Sequence, residues 1–86
     1  MILHDLRQTC DASPSQWEAL NERNERVFIH FRFDTLTVHC PFDDDESQTW
    51  EDFLATQVLC LKHVTGNPYA GALETADMLR LTGCVI

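Results

Sequence analysis

Six carboxylates crowd into ten residues of this chain: Asp43, Asp44, Asp45, Glu46, Glu51 and Asp52. No Lys or Arg falls within residues 41–52. Residues 1–40 carry six acids and four bases, and residues 53–86 carry two of each. Six of the eight formal negative charges therefore sit in one segment. Carboxylates at this density can hold a divalent cation, meet a basic surface, or face water. A calcium loop begun at Asp43 puts Gln48 where glycine is required and Leu54 where the bidentate glutamate belongs, so the EF-hand pattern fails. The remaining chemistry is electrostatic. All six acids are candidate contacts for a protein partner with a basic surface.

Histidine and cysteine are the other reactive types. His30, His39, Cys40, Cys60 and His63 are zinc ligands by type. Zinc needs three or four of them within tetrahedral reach. No C-x-x-C pair exists, and alternation along a strand puts Cys40 on the opposite face from His39. No metal and no cofactor are predicted. Nucleophilic catalysis needs an activated Cys or Ser beside an oxyanion-hole turn. Three glycines, all near helix punctuation, leave little for such a turn, and no Walker loop, dinucleotide fingerprint or zincin motif is present. The chain is not read as an enzyme.

These residues need elements to position them. Ser13-Pro14-Ser15-Gln16 reads as a helix start, with Ser13 as cap and Pro14 at the first position, and predicts a short N-terminal helix ending near Asn24. Residues 26–40 alternate apolar and polar, with a phase change at Asp34-Thr35. This predicts an antiparallel hairpin in which Phe33 pairs with Leu36, Phe31 with Val38, Ile29 with Cys40, and His30 with His39. Thr49 and Asp52 form a capping-box pattern for a helix over about 49–65, whose apolar arc holds Trp50, Phe53, Leu54, Val58, Cys60, Leu61 and Val64. Gln57 within that arc and Leu59 on its polar back break the pattern. Asn67-Pro68 predicts a last helix over about 68–82, with Tyr69, Ala72, Leu73, Ala76 and Leu79 inward and Gly83 as its C-terminal cap. The expected core is Trp17, Ile29, Phe31, Phe53, Leu54, Val58, Leu61 and Leu73.

The chain has 86 residues, 44 % apolar and 23 % charged. That size predicts a single α+β domain over residues 1–86, burying about 60–65 % of its unfolded surface. No apolar run approaches a membrane span. Met1–Asp5 lacks a basic start followed by an apolar block, and Cys10, Cys40, Cys60 and Cys84 lack the close spacing of disulfide scaffolds. Free thiols and a cytoplasmic location are expected. A net charge of −8 argues against direct nucleic-acid binding and against a membrane surface. In size and charge the chain is similar to small acidic inhibitors carried by phages and mobile elements, anti-CRISPR proteins among them. That resemblance implies a protein that occupies a basic surface of a nucleic-acid-handling complex. The alternative is an accessory or regulatory subunit that binds its partner, or itself as a homodimer, through an apolar surface.

Overall fold

The computed structural model describes residues 1–10, 13–42 and 49–86. Five strands form one antiparallel sheet in sequence order: β1 His4–Cys10, β2 Ser15–Leu20, β3 Arg26–Arg32, β4 Thr35–His39 and β5 Gln57–Leu61. A six-residue helix, α1 Trp50–Ala55, lies in the β4–β5 connection, and α2 Thr75–Thr82 follows the sheet. The architecture of an N-terminal helix, a lone hairpin and two long C-terminal helices is thereby overturned: the described fold is mostly strand.

Each difference has a local cause. Ser15, Trp17, Ala19 and Asn21 are buried in alternation with half-buried Gln16, Glu18 and Leu20, a period of two. β2 lies between β1 and β3, so its backbone groups pair on both sides and override the helix propensity of Glu18-Ala19-Leu20. Asn21 then turns the chain, its Oδ1 accepting from the amides of Arg23 and Glu25 at 2.9 Å each. Residues 57–61 also obey a period of two. Leu59 and Leu61 pair with Val38 and Leu36 on the core face, while Gln57 and Cys60 pair with His39 and Thr37 on the other. The two residues that spoil a helical reading, Gln57 and Leu59, are thus in place on a strand. Val58 is 57 % exposed at the bulge between them.

The last helix starts seven residues later than expected because residues 70–73 are tied to the sheet. Asp34 N–H donates to the Ala70 carbonyl at 2.7 Å, Ser15 N–H to the Gly71 carbonyl at 2.8 Å, and Leu73 N–H to Ser15 Oγ at 3.0 Å. Tyr69, expected inside, is 86 % exposed. Asn67 caps a turn rather than a helix, accepting from the Tyr69 amide at 3.0 Å. Gly83 does end α2, in the left-handed conformation at φ 73°.

The β3–β4 hairpin is present with its turn one residue upstream. Phe33 and Asp34, at φ 52° and 59°, form the two-residue turn. Phe31 therefore faces Leu36, Ile29 faces Val38, His30 faces Thr37 and Phe28 faces His39. This register replaces the expected Phe33–Leu36 and His30–His39 pairs. The core face carries Trp17, Val27, Ile29, Phe31, Leu36 and Val38, joined by Met78 of α2 and by Leu3. The Trp17 indole N–H donates to Thr75 Oγ1 at 2.9 Å, fixing α2 against that face. Of the expected core, Trp17, Ile29 and Phe31 are buried, Phe53, Leu61 and Leu73 are half-buried, and Leu54 and Val58 are exposed.

Candidate functional site

The acids separate into two groups. Asp43, Asp44, Asp45 and Glu46 lie outside the described residues. Glu51 and Asp52 stand exposed on the first turn of α1. The capping box is formed: Asp52 N–H donates to Thr49 Oγ1, and Thr49 N–H donates to Asp52 Oδ2, both at 3.1 Å. This pair fixes the start of α1 and satisfies two of the amides a helix N-terminus leaves open.

α1 also roofs one end of the sheet's second face. There the outward residues of β3 and β4 meet the helix in a groove of about 560 Å³. Phe28 stacks on Phe42 with centroids 4.7 Å apart, and His39 on Phe53 at 3.9 Å. Trp50 lies 5.5 Å from Phe53. Polar groups interrupt these rings: Gln16, His30, Thr37, Gln57 and Cys60 line the same groove, with Arg32 and Phe33 at the turn end. The arrangement suits a partner that offers flat apolar surface and a few hydrogen-bonding groups.

Burial lowers both imidazoles from their usual value; at His30 the charges of Arg32 and His39 add to the effect, and at His39 the bond to the Phe53 carbonyl opposes it. Both rings are therefore neutral at pH 7. Burial pushes the Cys40 thiol up, with the Glu25 charge adding to it, so this cysteine is not held as a thiolate. Asp34 is 2 % exposed. Burial alone would raise its carboxyl, but three bonds outweigh it: Thr65 N–H at 2.8 Å, Thr65 Oγ1–H at 2.7 Å and Gly66 N–H at 2.8 Å. Asp34 stays ionised and clasps the β3–β4 turn to residues 65–66.

The metal-ligand types do not converge. Among the described residues no group of three or more His, Cys, Asp or Glu is placed to hold a metal ion. His30 and His39 share the groove face on neighbouring strands, whereas His63 is exposed beyond β5. The four cysteines are free thiols. On α2, Arg80 pairs with Asp77 at 3.4 Å. Among the described residues no helix is long and apolar enough to cross a membrane.

Phe28, Phe33, Thr37 and Trp50 were not singled out as functional from sequence. The available signal was the polar-side alternation Phe28-His30-Arg32, which places an aromatic ring and an imidazole on a face otherwise expected to meet water. No known protein family, no curated protein and no solved structure matches this chain.

Proposed function

We propose that this chain is a small acidic protein that binds a basic surface on a protein partner through residues 43–52. The observation that carries this reading is how the acids are distributed, with six of them and no Lys or Arg in residues 41–52. Glu18 has an arginine at 2.9 Å, Asp77 at 3.4 Å and Glu25 at 3.9 Å. Among the described residues, Glu51 and Asp52 have no ion-pair partner, which is also true of Glu22, Asp34 and Glu74, but only these two share residues 41–52 with four further acids and no Lys or Arg. An excess of acids in one segment of the sequence steers encounter with a basic surface over about a Debye length, roughly 8 Å at physiological salt. Basic surfaces of that kind belong to complexes that handle nucleic acid, where clustered carboxylates imitate phosphates. Likeness in size and charge to the anti-CRISPR proteins and other phage-borne inhibitors supports the same reading.

A second reading rests on apolar exposure. Trp50 is 68 % exposed on α1, and Val58 is exposed on the edge strand β5, a surface suited to an accessory subunit or a homodimer. Salt separates the two. The chain on a resin, offered nuclease-treated host lysate, retains a basic protein that elutes as ionic strength rises. Changing Asp43, Asp44 and Asp45 to Asn and Glu46 to Gln should leave the fold intact, slow association with that protein and flatten the salt dependence. Equal affinities and equal salt slopes for the two forms would refute acidic docking.

A further inference from the structure

The groove beneath α1 has features that neither folding nor acidic docking explains. His39 is 2 % exposed, and its Nδ1 lies 3.1 Å from both the Phe53 carbonyl oxygen and Thr56 Oγ1. The carbonyl only accepts, and the Thr56 hydroxyl donates its own hydrogen to that carbonyl at 2.7 Å. Nδ1 therefore carries the proton, and Nε2 is a bare lone pair. Among the described residues Nε2 has no hydrogen-bond partner, and no fully buried side-chain nitrogen or oxygen is left unpaired. Nε2 is accordingly not fully enclosed, and the ring that carries it lines the groove. It is an acceptor in a mostly buried side chain, waiting for a donor from outside.

Phe33 supplies an independent sign. A bulky residue at φ 52° occupies the left-handed region that Gly and Asn favour, and the backbone there is strained. The ring gains little burial in return, since Phe33 is 62 % exposed; the Arg32 guanidinium lies 4.6 Å from its centre. Strain of this sort persists where a side chain is kept for what it contacts. Phe33 lines the same groove as Trp50 and Phe53, at the β3–β4 turn.

We propose that this groove is a binding site for an uncharged, planar heteroaromatic ring carrying an N–H donor, which pairs with Nε2 of His39. The flat walls are Phe28, Phe53 and Trp50: Phe53 stacks on His39, and Phe28 and Trp50 lie tilted against Phe53. The groove volume falls in the range of small-molecule sites, about 300–1,000 Å³. Both lining imidazoles are neutral at pH 7 and no carboxylate lines the groove, so a cationic ring would lose hydration without a counter-charge to replace it.

The test uses benzimidazole and 1-methylbenzimidazole, which share a shape and differ in the N–H. Each is titrated into the full-length chain at neutral pH and followed by amide NMR. Benzimidazole is expected to give saturable shifts at His30, Thr37, His39 and Phe53, and the methylated compound to bind about tenfold more weakly, the worth of one hydrogen bond. Phe33→Asn should raise the melting temperature and weaken benzimidazole binding, which separates loss of the site from loss of the fold. No saturable shift at the groove, equal affinities for the two compounds, or undiminished binding by Phe33→Asn would overturn the proposal. Each of these outcomes is independent of the acids at 43–52.

Discussion

The two faces of the sheet are made by the same strands and differ in almost every physical respect. On one, Trp17, Ile29, Phe31, Leu36 and Val38 are closed off completely and meet Met78 of α2. On the other, Phe28, His30 and Thr37 are only part-covered, Gln57 is exposed, and the covering helix is six residues long. The first face holds aliphatic and aromatic carbon. The second mixes aromatic rings with imidazole, hydroxyl, amide and guanidinium groups. A closed core and an open groove are thus divided by residue parity, because neighbours along a strand point to opposite faces.

Truncation should expose that division most strongly. Phe31→Ala removes a ring that is wholly buried between Ile29 and Leu36 neighbours, and is expected to cost about 3–5 kcal/mol in urea denaturation. Phe53→Ala removes a half-buried ring on the other face and should cost less, about 1–2 kcal/mol. Equal losses would mean that α1 closes the second face as tightly as α2 closes the first.

Acid should act on the second face before the turn. His30 and His39 have folded values below 6.5, so the unfolded chain takes up protons first. Stability is then full above pH 6.5 and declines as pH falls from there toward the folded values. Asp34 acts lower. Its folded value lies below 3.8, so its contribution is intact above that pH and is lost as pH falls through the folded value. Denaturation midpoints from neutral to acid pH should show two declines, with His30→Gln softening the first and Asp34→Asn removing the second. A single decline confined to the carboxylate range would show that the imidazoles titrate alike in both states.

Much of this division was readable from sequence, and the failures have definite causes. The alternation of Val27, Ile29 and Phe31 gives the core face of β3 without ambiguity. The turn was displaced by one residue because nothing in the sequence recommends Phe33 for a left-handed conformation. The strand at 57–61 was hidden by its surroundings. Trp50, Phe53 and Leu54 continue into Val58, Cys60 and Leu61 at spacings that also fit a helix, and only pairing with β4 decides between the periods. The N-terminal capping signal was misleading at Ser13-Pro14 and correct at Thr49, because the backbone after Ser13 is claimed by two neighbouring strands. The acidic segment was legible as composition. The groove was not, since its walls come from β3, β4, α1 and β5 and meet only once the register is set.

An open meander has two outer strands, and here they are unlike. β1 is interrupted by two irregularities in its pairing, between His4 and Arg7 and between Gln8 and Cys10, and Asp5 bends it at φ 53°. Such a margin makes a poor template for another molecule. β5 has a single irregularity, at Val58, carries exposed Val58 and Cys60, and has Lys62 just beyond it as a guard. In solution at neutral pH the mutual repulsion of chains bearing −8 opposes association of copies along that margin. Near the isoelectric point of about 4.6 the repulsion vanishes while β5 remains, so colloidal stability fails first along one side of the sheet.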